Sequence, residues 1–452
     1  MTVFMLFDDA LSYLLSLGHE TLTMKLGLES TTRLLEALGQ PQSAFPKVQI
    51  AGTNGKGSTA AMLDAIFRAA RIRTGLYTSP HLISITERIR IAGREITPED
   101  FARLTVDVRD AARGLCDEGR LPAPPTFFEQ VTAIALLAFR EAQVQLAILE
   151  TGLGGRLDAT TAAAAETVAV TPIALDHQEY LGHTLAEIAA EKAAIIRPEV
   201  KAAVIAAQQP AEALTVLLRR CEACGVEPRL SGMSARVLET DATGRLRVSF
   251  RTGHDEYTNV RLALRGRHQL TNAALAVEVA EALRERGFDI SRAAIIEGLE
   301  TARHAGRLEL REGQPAMLFD GAHNAAGARA LREYLDEFVK RPVTLLFGAM
   351  REKEIGEIAA QLFPAARRLV LTRPANARAA PPEALARAVP FDFDSSRITL
   401  APDVRAGLHA AREVTPPGGL ICVTGSLYLV GEVQSVLDAE SALDGCGKMK
   451  GL

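Results

Sequence analysis

Tryptophan is missing from the chain, and its absence excludes nothing about function. The shortage of cysteine excludes more. The five present, Cys116, Cys221, Cys224, Cys422 and Cys446, are scattered, unlike the dense disulfide framework of a small secreted protein. Cys221-x-x-Cys224 has no second pair nearby, so ordinary packing is favoured over a zinc or redox site. Long apolar runs are lacking too; stretches such as Val131 to Phe139 fall well short of the roughly 20 residues that span a bilayer. Asp8 and Asp9 stand where a signal peptide would carry positive charge before its apolar core. Excess charge of either sign is absent: the formal net charge is -4, which argues against broad affinity for nucleic acid. Together these absences point to a cytoplasmic protein with no nucleic-acid or membrane partner, and a monomer is expected.

What remains is the balance of a globular protein, 48% hydrophobic and 23% charged, in 452 residues, a length that suggests two or three domains. Asp8 to Leu17 and Ser30 to Leu38 carry apolar residues at helical spacing. Pro46 stops helix, Val48 to Ala51 reads as a short buried strand, and an amphipathic helix runs from Ser58 to Arg71 with Ser58 as a plausible cap. The rhythm repeats: helix from Gln130 to Ala142, strand from Leu146 to Leu149, strand from Thr167 to Thr171, helix from Leu185 to Ile196, strand from Ala202 to Ala206, helix from Pro210 to Cys221. Such alternation implies parallel βαβ units in an open sheet.

Between Gly225 and Leu264 the pattern shifts to the alternation of antiparallel strands, at Arg236 to Glu239 and Leu246 to Phe250, and reads as a β-rich appendage. Helices return at Leu270 to Arg286 and Ser291 to Glu300, and a second αβ series runs from Ala316 to Thr424. The expected architecture is α/β: a mostly parallel N-terminal sheet domain over residues 1–303 with the β-rich appendage, a smaller Rossmann-like α/β domain over 304–439, and a flexible tail over 440–452. Residues 374–382, rich in Ala and Pro, read as a surface loop.

Between the first strand and its helix lies Gly52-Thr53-Asn54-Gly55-Lys56-Gly57-Ser58. Glycines let backbone N–H groups turn inward around oxygens, the helix N-terminus adds partial positive charge, and Lys56 adds a full one: this is a phosphate-binding loop. It departs from the common G-x-x-x-x-G-K-[ST] form, because Gly57 stands where a metal-binding hydroxyl usually follows the lysine. Ligands for a metal should therefore come from the ends of neighbouring strands.

Three segments qualify: Thr78-Ser79-Pro80-His81, Glu150 to Asp158 with Gly152, Gly154 and Gly155, and Asp176-His177 followed by Glu191-Lys192. Mg²⁺ favours oxygen ligands, which suits Glu150 and a serine hydroxyl, and a single imidazole such as His177 is tolerable. Each has a bland alternative, since a glutamate at a strand end is commonly a solvated group and a lysine on a helix a surface charge. In the second series Asp320-Gly321-Ala322-His323-Asn324 follows a strand, where polar groups face the ligand crevice, although Asp320 or Asn324 could equally cap a helix. Arg307 could pair bidentately with phosphate. His19, His183, His254 and His409 stand in no constellation.

In order and combination these motifs resemble the folylpolyglutamate synthase and dihydrofolate synthase family, within the Mur-ligase superfamily. The similar stretches are Gly52 to Ser58, Thr78 to Leu82 with Glu87-Arg88, Thr126 to Glu129, Glu150 to Thr160, Leu175-Asp176-His177, Glu191-Lys192, Gly306 to Glu309, Asp320 to Asn324 and Thr424-Gly425-Ser426, so the resemblance covers nearly the whole chain. It implies an ATP-dependent ligase that adds L-glutamate to dihydropteroate or to folates through an acyl phosphate. It further implies ATP contacts by Gly52, Thr53, Asn54, Gly55, Lys56, Gly57, Ser58, Asn272, Arg307 and Asp320. Mg²⁺, at two sites, is implied at Ser79, Glu150, His177 and Lys192, the lysine carbamylated into an oxygen ligand. Arg88, His323 and Ser426 match positions near the incoming glutamate, and Thr126, Phe128, Asp158 and Ala159 match a pterin site. Lys56, His177, Lys192 and His323 are the implied catalytic set. There are departures: Thr161 replaces a usual Asn, the runs Lys192-Ala193-Ala194 and Ala305-Gly306-Arg307 differ from Lys-Ala-Gly and Pro-Gly-Arg, and Met350 to Glu354 reads Met-Arg-Glu-Lys-Glu. A Mur-type ligase acting on another carboxylate, such as a UDP-sugar peptide, is the nearest rival. It would need a further N-terminal domain, and the roughly fifty residues before Gly52 are few for one. A regulatory nucleotide-binding module, the rival of another class, would not need Glu150, His177, Arg307 and His323 together.

Overall fold

A computed structural model describes residues 5–18, 27–232 and 234–449; His19 and the last three residues of the expected tail lie outside the described residues. The apolar run after Pro46 becomes β1 (Lys47–Ala51), the middle of a sheet whose other strands are β2 (Thr74–Tyr77), β3 (Ile89–Ile91), β4 (Arg94–Glu95), β5 (Leu146–Glu150), β6 (Thr167–Val170), β7 (Ala202–Ala206) and β8 (Pro228–Ser231). Their order is β4-β3-β2-β5-β1-β6-β7-β8. From β2 to β8 all neighbours pair in parallel, and at the other edge β2 with β3 and β3 with β4 pair antiparallel. Every residue of β1, β2, β5, β6 and β7 is buried. That explains why these strands read as unbroken apolar runs rather than as alternation: helices cover both faces.

One face carries the phosphate-loop helix (Lys56–Ala69), the helices Gln269–Glu285 and Arg292–Thr301, and the antiparallel appendage. The approach is close enough that a Cβ on Gly298 would strike the backbone of Ile66. The other face carries the helices Pro98–Asp117 and Phe127–Glu141 in one cluster, and Leu185–Ala193 with Ala211–Cys224 in another. β1 leads through the phosphate-loop helix to β2 on one side, while its neighbour β5 leads to β6 on the other, so a crevice opens at their C-terminal ends, the usual ligand position in such sheets.

The second sheet contains β12 (Glu309–Arg311), β13 (Ala316–Phe319), β14 (Val343–Phe347), β15 (Arg368–Leu371), β16 (Ile398–Leu400) and β17 (Leu420–Thr424), in the order β12-β13-β17-β14-β15-β16. All pairs are parallel except β12 with β13. The α/β class expected from the alternation of elements holds for both sheets.

Several local expectations need correction. The phosphate-loop helix begins at Lys56, with Gly55 at φ 95° as its N-cap, so Ser58 is a buried first-turn residue and not a cap. A left-handed residue here lets the chain turn sharply into the helix, which only glycine does cheaply. The appendage has three strands, β9 (Arg236–Thr240), β10 (Arg245–Arg251) and β11 (Glu256–Arg265), while β8 from the same stretch joins the large sheet. The segment 374–382 is not simply a surface loop: Ala379 and Ala380 are buried, and Ala379 bridges Met350. Its small side chains are what allow that close packing. The last helix spans Leu427–Met449 and continues through Ala439, where a frayed tail was expected. Its first half is anchored by buried Leu429, Val430 and Val433, and a nucleated helix propagates readily.

Candidate active site

The phosphate loop opens on a cavity of about 330 Å³ at the C-terminal end of β1. Gly52 to Ser58, Ser79, Glu150, His177, Lys192, Asn272, Arg307, Asp320 and His323 all line it. A second cavity of about 420 Å³ is lined by Ser79, Thr126, Phe128, Asp158, Ala159, His177, His323 and Ser426, among others. Ser79, His177 and His323 belong to both, so the two cavities meet at these side chains.

The charges at the meeting point are held by geometry. Lys56 Nζ donates to the carbonyls of Gly52 (3.1 Å) and Thr53 (3.2 Å), folding the side chain back over its own loop. Burial lowers its pKa, against the attraction of Glu150 and Asp176. Glu150 ends β5; burial raises its pKa, Lys56 opposes that, and Oε2 accepts the Ser79 N–H at 3.2 Å. Lys192 Nζ donates to the Gly52 carbonyl at 2.9 Å, and burial, reinforced by Lys56, brings its pKa down to about 7. His177 is pulled down to about 3, chiefly by burial, and is a neutral imidazole at neutral pH.

Other expected residues are already engaged. Thr126 and Glu129 form a capping box, with Thr126 N–H to Glu129 Oε2 at 2.7 Å, and this fixes the start of the helix that carries Phe128. Asp158 accepts from the N–H groups of Leu153 (2.9 Å) and Thr160 (3.0 Å), so it shapes the glycine-rich loop after β5. Asp320 accepts from Leu308 N–H and Ala322 N–H, each at 3.0 Å, tying the end of β13 to the linker beside Arg307. The carbonyl of Gly321 lies 2.8 Å from His323 Nδ1, which requires the proton on Nδ1.

Arg88 is the exception among the expected site residues, because it lines neither cavity. Its Nε donates to His81 Nδ1 at 2.8 Å, and its guanidinium lies over the Phe127 ring. The cause is the turn Ile85–Arg88, closed by the Ser84–Glu87 capping box, which aims Arg88 into the core.

The absence of a side chain at position 57 now has a reason. A Cβ there would lie 2.7 Å from His304 Cε1 and 3.4 Å from Glu150 Oε2. Gly57→Ser, which supplies the hydroxyl of the common loop, is therefore expected to weaken ADP binding by about 1–3 kcal/mol through overpacking. Calorimetric titration with ADP checks this; unchanged affinity would show that the close approach is tolerated.

Two family models match the chain: the Mur ligase middle domain over residues 50–280 and the Mur ligase glutamate ligase domain over residues 306–427. A probable bifunctional folylpolyglutamate synthase/dihydropteroate synthase of Haloferax volcanii is 36% identical over 95% of this chain and 50% of its own length. The chain thus spans about half of that relative. The solved structure of Escherichia coli FolC in complex with DHPP and ADP superimposes with a TM-score of 0.85, at 30% identity, over 97% of this chain and 99% of that one. A bifunctional folylpolyglutamate synthase/dihydrofolate synthase solved with Mn, AMPPNP and L-glutamate gives 0.82, at 29% identity, over 96% and 98%. The chain belongs to the folylpolyglutamate synthase/dihydrofolate synthase family of Mur ligases.

Within this family member, the fold brings into the crevice four groups to which sequence reasoning assigned no separate role. Asp176, at the end of the β6 connection, is buried; its Oδ1 accepts from Lys353 Nζ at 2.6 Å and its Oδ2 from Asn324 Nδ2 at 3.0 Å. Lys353 itself was visible only as part of a divergent motif. His268 and His304 also line the phosphate cavity. No local pattern marks either histidine; His304 meets Ser58, 246 residues away in the chain.

Among the described residues no group of three or more His, Cys, Asp or Glu side chains is arranged to hold a metal ion. Of the residues that line the phosphate cavity, Glu150, Ser79 and His177 offer a buried carboxylate, a hydroxyl and a neutral imidazole as donors. That mixture suits a hard cation that keeps several of its waters and takes further oxygens from phosphate.

Proposed function

We propose that the chain is an ATP-dependent ligase that joins the amine of L-glutamate to a dihydropteroate or folate carboxylate through an acyl phosphate, releasing ADP and phosphate. The observation that carries this reading is the meeting of the two cavities at Ser79, His177 and His323. A nucleotide on the phosphate loop would present its terminal phosphate where a carboxylate in the second cavity can reach it. DHPP and ADP in the E. coli relative, and Mn, AMPPNP and L-glutamate in the other, support the same pairing of ligands.

A carboxylate acylates poorly at neutral pH, and phosphorylation gives it a good leaving group. Lys56 and Arg307 would hold the negative charge that spreads over the transferring phosphoryl group. Ser79, Glu150 and His177 would hold Mg²⁺, which supplies further neutralisation of the phosphates. Phe128 and Ala159 would form the apolar wall for a pterin ring, and Ser426 and His323 the polar end for glutamate. Lys56 and Arg307 lie on the two sides of the domain boundary expected after residue 303, so closure over nucleotide would complete the site. Both cavities are lined within one chain, and the reading takes the monomer as the working unit.

Lys192 fits carbamylation, which requires an unprotonated amine, because its pKa is about 7. The same shift has a consequence for stability. An unfolded lysine titrates near about 10.4, so between pH 7 and that value the unfolded chain binds a proton that the folded chain does not. Stability contributed by this group therefore rises with pH across that window, by up to about 1.4 kcal/mol per pH unit. Urea unfolding at pH 7.5 and 9 should show this rise in the natural chain and a flatter response in Lys192→Met; equal slopes would mean that Lys192 is protonated in the folded state.

The test of function is a substrate panel: dihydropteroate and tetrahydrofolate, each with ATP and L-glutamate, read by product mass. A glutamyl adduct of both is expected. An adduct of tetrahydrofolate alone would remove the dihydrofolate synthase half of the proposal, and no adduct of either would remove the ligase reading.

A further inference from the structure

The linker between the helix Arg292–Thr301 and β12 carries Arg307, and three residues earlier it carries His304. His304 lines the phosphate cavity with its Cε1–Nε2 edge against Gly57. Its Nδ1 lies 3.2 Å from the hydroxyl of Ser58, a buried residue in the first turn of the phosphate-loop helix. Burial, then Arg307 and Arg90, brings the imidazole down to about 3, so it is neutral at neutral pH. Ser58 Oγ also accepts from Gln269 Nε2 at 3.3 Å, and Gln269 Oε1 accepts from Asn272 Nδ2 at 2.9 Å. With the Gln269 amide donating to it, the Ser58 hydroxyl has its own proton to give, and His304 Nδ1 is the acceptor in reach. The remaining ring proton then sits on Nε2, at the cavity edge.

The linker, the phosphate-loop helix and the helix Gln269–Glu285 are thus joined by one short chain of hydrogen bonds, with no charge in it. Nothing else about His304 explains why a polar ring should lie directly on a glycine of the loop. We infer that His304 is a positioning residue for nucleotide: by holding Ser58 it sets the first turn of the phosphate-loop helix and pins the linker to it. This rests on the ligase reading only in taking a nucleotide as the occupant of the loop. The hydrogen bond is neutral and lies outside the reacting atoms, so its loss should appear in ground-state binding rather than in turnover.

The experiment is calorimetric ADP binding, with steady-state ATP kinetics, on the full chain and on His304→Ala, His304→Asn, Ser58→Ala and the Ser58→Ala/His304→Ala pair. A buried hydrogen bond is worth about 1 kcal/mol, so His304→Ala should raise the Kd for ADP and the KM for ATP about 5- to 10-fold, with kcat held within about twofold. Asparagine places a carbonyl oxygen where Nδ1 stood, and His304→Asn should recover most of the affinity. The double variant should bind no more weakly than either single one. Natural affinity in His304→Ala, an Asn variant as weak as the Ala variant, or additive losses in the pair would each overturn the inference while leaving the ligase reading intact. Failure of the natural chain to bind ADP or ATP would overturn both.

Discussion

Lys56→Met is expected to lower kcat/KM for ATP-dependent ligation by about 10²–10³, the scale of losing one preorganised group that stabilises developing transition-state charge. Folding should not suffer to match. Among the described residues Lys56 Nζ hydrogen-bonds only the Gly52 and Thr53 carbonyls, at 3.1 and 3.2 Å, and its burial as a cation is itself unfavourable. Methionine has similar length and no charge to desolvate, so two hydrogen bonds are lost while a desolvation cost disappears. Activity and stability should therefore separate: ligation falls by orders of magnitude while the urea midpoint changes little. Glu150 is the control on this logic. Lys56 is the first of the charges that restrain its burial-raised pKa, and without that cation the carboxyl should protonate at higher pH. Residual ligation in Lys56→Met should accordingly begin its acid-side decline at a higher pH than in the natural chain. Ligation close to the natural rate would place the phosphates elsewhere, whatever the loop's form.

Legibility from sequence followed the range of the interactions. The phosphate loop was plain because strand, glycine turn, lysine and helix are adjacent in the chain. Glu150 and Asp320 were found because the end of a buried parallel strand is a marked position in any α/β sheet. Arg88 could not be placed from its motif alone, because the Ser84–Glu87 box beside it turns the side chain away from both cavities. The phosphate-loop helix start was misplaced because the hydroxyl of Ser58 resembles a cap, whereas the left-handed Gly55 performs that role. Lys353 was legible only inside a divergent motif, and His304 not at all. Their partners Asp176 and Ser58 lie 177 and 246 residues away in the chain; the second sheet unit brings Lys353 to Asp176, and the helix Arg292–Thr301 packed on the phosphate-loop helix brings His304 to Ser58.

Asp176→Ala tests that packing. The carboxylate gathers three side chains from the second sheet unit: Lys353 Nζ at 2.6 Å, Asn324 Nδ2 at 3.0 Å and His323 Nε2 at 3.6 Å. Asn324 in turn exchanges amide hydrogen bonds with Asn54 of the phosphate loop, at 3.1 and 3.3 Å. Burial alone would raise the Asp176 pKa, but the hydrogen bond from His323 and the charges around it hold the carboxyl well below the usual range. Its contribution to stability is thus present above the ordinary carboxylate pKa and is lost as pH falls through the lower folded value. Lys353 is only 10% exposed, so removing Asp176 leaves a nearly buried cation without its partner. Breaking such a pair costs about 3–5 kcal/mol, and the loss should fall on the contact between the two sheet units. Urea unfolding of Asp176→Ala should show a large drop in midpoint, and ligation should fall with it as His323 loses its seat beside the second cavity. Lys353→Met in the same chain removes the stranded charge and should restore at least half of the stability without restoring ligation. If the double variant is less stable than Asp176→Ala, the pair is not the element that holds the two units together, and the Asn54–Asn324 amide exchange becomes the contact to test.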